Sequence, residues 1–242
     1  MDSITMWQRR GITSWLGYGY FAGRQRYGVA LCALLLFIAA VPLSAQELSK
    51  VEPGHFDYYL LNLSWSPEFC SLHGTNPQCA TKPGFIVHGL WPQDNDGSWP
   101  AFCSTRPGPE HPERDLDITP DSSLLAHEWA KHGTCTTLSP DEFFELEHQA
   151  FRTVVVPRLF LDLDHEVLLK PEAILDLFAK ANPDFPAGSF VVSCGNNRLT
   201  AIEACLTKKG LKPMVCREVP GCKAQVVRIT PEKVPESSTV QR

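Results

Sequence analysis

The sequence predicts an α+β fold: a central antiparallel β-sheet flanked by helices, in a single disulfide-stapled domain. Three observations predict it. Strand-like runs lie towards both ends of the chain with the helical segments grouped between them, not in βαβ alternation. Eight cysteines follow an N-terminal leader, an even set that suits disulfides in an oxidising compartment. The 242 residues are 43% hydrophobic and 20% charged, a globular balance without repeats or a dividing linker.

The leader is residues 1–45. Arg9, Arg10, Arg24 and Arg26 precede an apolar run from Leu31 to Val41, too short to span a bilayer, which takes about 20 residues. Pro42-Leu43-Ser44-Ala45 supplies a small-residue exit, so the segment reads as a secretory signal peptide cleaved after Ala45. Arg9-Arg10 read as a twin-arginine signal, or the whole segment as an uncleaved anchor, are the alternatives. Cleavage leaves residues 46–242 as one domain, with its core at about 56–229 and a frayed C-terminal tail. Four Arg, one Asp and Cys32 leave with the leader, which takes the net charge from −5 to −8 and the cysteine count from nine to eight. The expected location is secreted, periplasm or extracellular space, with no membrane attachment after cleavage. A strongly basic field that would grip nucleic acid is excluded.

Phe56 to Trp65 is aromatic and aliphatic with little polar interruption, which predicts a buried strand. Phe85-Ile86-Val87-His88-Gly89 is a second, short strand stopped by glycine. Residues 92–114, rich in Pro, Asp and Gly, predict a long loop. Thr119-Pro120 looks like a helix start, with Thr as cap, and the helix runs to about His132 before Gly133. Ser139-Pro140-Asp141-Glu142 has the spacing of a capping box and opens a helix towards Val156. A shorter helix covers Pro171 to Lys180, and strands follow at 189–193, 199–206 and 224–229. Asn62-Leu63-Ser64 matches a glycosylation sequon but falls in a buried strand, so it reads as chance.

Two segments carry chemistry. His88 ends a strand, a rigid place from which to aim an imidazole. His127, Glu128, Lys131 and His132 share one helix. At about 100° per residue, with Glu128 at zero, His132 falls near +40°, Lys131 near −60° and His127 near −100°. Leu124, Leu125 and Trp129 share that arc, so the charges line a half-buried cleft wall. His127 and His132 are five residues apart, about 140° from each other, which does not suit the H-E-x-x-H zinc arrangement. Asp94-Asn95-Asp96-Gly97 lacks the closing Glu of a calcium loop and reads as a turn. No phosphate-binding glycine loop or G-x-S-x-G elbow occurs, and every remaining cysteine is needed for the even count. What is left is acid–base chemistry without a metal or cofactor. Cleavage of RNA by its own 2′-hydroxyl needs this set: a base, an acid and a cation at the phosphate. Histidine suits both proton tasks.

His88-Gly89-Leu90-Trp91-Pro92 and His127-Glu128-Trp129-Ala130-Lys131-His132-Gly133-Thr134-Cys135 resemble the two active-site signatures of the secreted acid ribonucleases of the ribonuclease T2 family. The segment Phe56 to Cys70 is similar to that family's opening strand, and the likeness extends to about Cys222. The resemblance implies an endoribonuclease that cleaves single-stranded RNA to 2′,3′-cyclic phosphate ends. His132 would be the general base and His88 the general acid. Glu128 and Lys131 would act at the transition-state phosphate, His127 would bind phosphate, and Trp91 would stack on a base. It also implies disulfides Cys70–Cys79, Cys103–Cys135, Cys194–Cys222 and Cys205–Cys216, which residue spacing alone leaves among 105 pairings. The expected partner is RNA, the expected state a monomer with no metal required, and the expected optimum mildly acidic. The competing reading is a secreted, catalytically inactive protein that binds RNA or a partner on the same scaffold. Base preference is not legible in the loop after Trp91.

Overall fold

Tyr58–Trp65 (β1) follows Asp57 and has no polar side chain except Asn62 and Ser64, and it is buried on both faces. Tyr59, Leu61, Leu63 and Trp65 point into the main core; Tyr58 and Leu60 point the other way, against Cys205. The structure, a computed structural model, describes residues 51–80 and 84–231. The expected signal peptide, its cleavage site and the tail beyond Pro231 lie outside the described residues. No described helix is long and apolar enough to cross a membrane.

β1 is followed by a helix not foreseen in the sequence, Ser66–Leu72 (α1), with Pro67 in its first turn. Phe85–Gln93 (β2) pairs antiparallel with β1 and runs four residues past the expected stop at Gly89. It can include Pro92 because β2 lies at the sheet edge, where a missing N–H costs no ladder bond. Ser122–Lys131 (α2) starts from Asp121, whose carboxylate accepts from the Ser123 and Leu124 amides, and not from Thr119. Thr119 is committed elsewhere: its hydroxyl donates to the Val87 carbonyl on the outer edge of β2. Pro140–Arg152 (α3) has the expected capping box between Ser139 and Glu142. It ends short of Val156 because the Asn182 side chain takes both backbone groups of Val155. Val167–Leu169 (β3), also unforeseen, precedes Pro171–Ala181 (α4), Phe190–Gly195 (β4), Arg198–Thr207 (β5) and Val227–Ile229 (β6).

The strand order is β2-β1-β5-β6-β3, with β4 also on β5. Every pairing is antiparallel except β5 with β6, which meet in parallel at Arg198 and Arg228, so the expected antiparallel sheet is mixed at that one point. One face of the sheet packs with the helices around Phe143, Phe144, Phe160 and Phe178. The other face carries Tyr58, Leu60, Asn62 and Glu203 towards the cleft. The four disulfides are Cys70–Cys79, Cys103–Cys135, Cys194–Cys222 and Cys205–Cys216, the pairs the family resemblance implies. A crosslink closing a loop of this size is worth about 3 kcal/mol in the chain-entropy account.

The long loop after β2 has a single 3-10 turn, Pro112–Asp115, and is fastened to α2. Phe102 donates its amide to the Lys131 carbonyl, Cys103 bonds to Cys135, and the Trp129 indole donates to the Arg106 carbonyl. The Arg106 guanidinium then lies over the Trp129 ring and donates to the carbonyls of Leu138, Thr134 and Thr136. Those carbonyls belong to the short 3-10 helix after α2, Gly133–Cys135, and the turn that follows it. Replacing Arg106 by Met keeps a stem over Trp129 but removes every donor. The expected loss is about 2–4 kcal/mol, read as a lower urea midpoint at unchanged slope.

Candidate active site

The strand β2 bends at the histidine it must aim. Asn62 pairs with Gly89 and Leu63 with Val87, so His88 is the extra residue of a β-bulge and has no partner across the ladder. A bulge turns a side chain out of the regular alternation, and here it leaves the His88 ring about 40% exposed at the cleft. Three groups hold the outer edge of β2 at this point. Val87 donates to the Ile118 carbonyl and accepts from Thr119, and the Leu90 amide donates to the buried carboxyl of Glu147 on α3. An edge strand that would otherwise expose its backbone is covered and fixed.

Glu128 projects from α2 onto this strand and is 2% exposed. Its Oε2 accepts the Trp91 indole N–H at 2.7 Å. Its Oε1 is 3.5 Å from His88 Nε2, and its Oε2 is 3.9 Å from His132 Nε2. One carboxyl therefore lies between two imidazoles, in ion-pair range but without a hydrogen bond to either. Trp91 also stacks on the His132 ring, centroids 5.2 Å apart at 22°, and meets His88 edge-on at 5.7 Å. Gly89 is required here: a Cβ at that position would overlap the Glu128 carboxyl and the Trp91 indole. Gly133 allows a similar approach behind the site, where a Cβ would strike the Trp129 ring.

Burial sets the protonation states. Desolvation, with a smaller push from His127 and Lys131, lowers His88 to about 4. Desolvation, then Lys131, His127 and His88, lowers His132 to about 3. Desolvation raises Glu128 to about 7 against the opposing pull of the Trp91 hydrogen bond and Lys131. Near pH 5 the free site therefore holds two neutral imidazoles and a neutral carboxyl. At that pH the close contacts of Glu128 with the imidazoles are contacts between uncharged groups. Neither ring nitrogen of His132 has a hydrogen-bond partner, although the residue is 2% exposed. A buried, unpaired polar ring is costly and marks a group kept for a ligand.

All six residues singled out in the sequence converge. His88 and His127 line a cavity of about 550 Å³ with Phe69, Leu124 and Thr200. Trp91, Lys131 and His132 line a second, of about 260 Å³, with Trp99 and Glu203. No cluster of potential metal ligands occurs among the described residues. Two supporting residues were missed. Glu147 is a lone acid on the core face of an amphipathic helix, and its apolar neighbours Phe143, Phe144 and Ala150 were the available signal. Arg106 stands in a loop whose composition gives no sign of its target.

Comparison with known proteins agrees with the motifs. The model of the ribonuclease T2 family matches residues 56–216. A ribonuclease of Aeromonas hydrophila is 40% identical over 118 residues, 48% of this chain and 54% of that protein, so the match spans about half its length. Ribonuclease DdI of Dictyostelium discoideum is 26% identical over 212 residues, 79% of this chain and 92% of that protein. Among solved structures, an RNase-related protein from Calystegia sepium superposes with a TM-score of 0.61 at 25% identity, covering 73% of this chain and 97% of that one.

His132 has a cost that can be measured. Replacing it by Phe keeps a ring against Trp91 and removes two unpaired nitrogens. The expected outcome is a gain of about 1–2 kcal/mol in stability, seen as a Tm rise of a few degrees, in a protein without activity.

Proposed function

The chain belongs to the ribonuclease T2 family, and from that premise we propose that it is a secreted, metal-independent endoribonuclease that cleaves single-stranded RNA by transesterification. The observation that carries this reading is the Glu128 carboxyl placed between the His88 and His132 imidazoles, with a cavity on each side. His132, neutral above about pH 3, takes the proton of a 2′-hydroxyl. The 2′-oxygen bonds to phosphorus, and the bond to the departing 5′-oxygen breaks. His88 gives its proton to that oxygen. The products are a 2′,3′-cyclic phosphate and a free 5′-hydroxyl, with all atoms retained. Lys131 and His127 face the phosphate, and neutral Glu128 donates a hydrogen bond to a phosphoryl oxygen that a carboxylate would repel. The nucleoside bearing the attacking 2′-hydroxyl occupies the cavity beside His132, where Trp91 and Trp99 offer ring surfaces to its base. The next nucleoside occupies the cavity beside His88 and His127. Residues 1–45 are the signal peptide, and residues 46–242 act as a monomer outside the cytoplasm. The net charge of −8 on that mature chain suits turnover more than tight retention of RNA.

The test uses mature protein from Gln46 with its disulfides formed, yeast RNA and excess EDTA at pH 5. Fragments ending in 2′,3′-cyclic phosphate are expected, and they should be lost in His88→Ala and His132→Ala. No cleavage by folded protein would overturn the reading.

The pH profile follows from the same groups. The base must be unprotonated, which holds above about 3, and the acid must be protonated, which fails above about 4 in the free enzyme. A bound phosphate anion beside His88 favours its cation and raises that second limit. The alkaline limb of kcat should therefore lie at higher pH than that of kcat/KM, and an optimum above pH 8 would contradict the assignment.

A further inference from the structure

Glu203 is a buried carboxyl that the cleavage chemistry does not use. It sits in the middle of β5, opposite Asn62 of β1 and Val191 of β4, and is 7% exposed. Its Oε1 accepts from Asn62 Nδ2 at 3.0 Å and from Ser193 Oγ at 3.1 Å. This occupies Asn62, so the sequon that contains it has no free amide to offer. Two donors on one oxygen fix the orientation of the carboxyl. Oε2 has no hydrogen-bond partner among the described residues, and Glu203 lines the cavity shared by Trp91, Trp99, Lys131 and His132.

On the wall around Glu203 the Ser193 hydroxyl is turned to the Glu203 carboxyl, and two further side chains there offer acceptors. Glu218 adds a second carboxylate at the cavity rim. Gln93 donates its amide N–H to the Pro92 carbonyl, which leaves its side-chain oxygen. The wall away from His132 and Lys131 thus presents acceptors, which suits a base edge and not a phosphate. The unpaired His132 ring on the opposite wall independently marks the cavity as a place for a ligand. Trp99, 58% exposed, gives the base a ring surface at the mouth. Among the four bases, guanine alone carries a ring N–H beside an amino group on one edge, N1–H next to N2–H₂, so it presents adjacent donors to a wall of acceptors.

We propose that Glu203 is a specificity-determining residue that accepts a hydrogen bond from guanine in the cavity beside His132, so that the enzyme favours cleavage after guanosine. The inference rests on the ribonuclease reading above for the direction of cleavage, but not for the binding. Desolvation pushes the Glu203 carboxyl up from its ordinary value, opposed by the bonds from Ser193 and Asn62. Protonation in acid removes the acceptor. The guanine preference should accordingly weaken as pH falls, with Lys131, His132 and Glu218 as the other titratable groups of the cavity and Tyr58 of β1 as a further titratable neighbour of Glu203.

The experiment compares the wild type with Glu203→Gln. The variant is isosteric, and its amide oxygen keeps the bonds from Asn62 and Ser193, which turns the NH₂ towards the cavity. A donor then faces a donor. Two readouts are taken: kcat/KM for GpU, ApU, CpU and UpU, and binding of 2′-GMP and 2′-AMP followed by tryptophan fluorescence. The wild type should prefer GpU over ApU by roughly 10-fold or more, and 2′-GMP over 2′-AMP similarly. Both ratios should fall to about one or below in Glu203→Gln. A wild type without guanine preference in binding, or a variant that retains it, overturns the proposal. Failure of the wild type to cleave any dinucleotide overturns the ribonuclease reading instead, while the nucleotide-binding ratios still decide the role of Glu203.

Discussion

The site depends on one short contact, the hydrogen bond from the Trp91 indole to the Glu128 carboxyl. It joins the edge strand β2 to the helix α2, and so joins the two sequence motifs to each other. Because Trp91 also stacks on His132 and meets His88 edge-on, one indole sets the positions of both imidazoles and of the carboxyl between them. Gly89 makes the contact possible by leaving room where any Cβ would stand. The bulge at His88 turns that ring into the space the contact creates.

The scaffold around this contact is built to keep an edge strand from moving. Ile118, Thr119 and Glu147 satisfy the outward backbone groups of β2, and Arg106 gathers the carbonyls left over at the end of α2. The site itself works against stability. His132 has a folded-state value below that of the free side chain, so its contribution is complete above about pH 6.5 and is lost as pH falls towards 3. Glu128 has a raised value, so its contribution is complete below about 4.5 and is lost as pH rises through 7. The two act in opposite directions between these limits, and disulfides and the aromatic core supply stability that depends on neither.

Several elements were legible because their signals are local. The capping box at Ser139 and Glu142 predicts its helix, and the near-continuous apolar run at Tyr58 predicts the buried strand that becomes part of the sheet centre. The arc of Glu128, His132, Leu125 and Trp129 on one helix gave the buried wall of the cleft before any fold was known. Local signals misled where a long-range partner outbid them. Thr119 looked like a cap, but the exposed carbonyl of Val87 claims its hydroxyl. Gly89 looked like a strand terminator, but its lack of a side chain serves the approach of Glu128. The helix at Pro140 looked longer, but Asn182 draws off the backbone at Val155.

By itself the sequence singled out the candidate groups, because imidazole, carboxyl and ammonium side chains stand together in two compact motifs. It also determined the α+β class, through strand-like runs at both ends of the chain with helical segments grouped between them. Only the tertiary structure decided what those groups are. Protonation depends on burial, and burial depends on which surfaces meet; nothing in the string buries Glu128 between two rings. The same holds for Glu203, an unremarkable acid in a strand until β1 and β4 close on either side of it and turn one oxygen to the cleft.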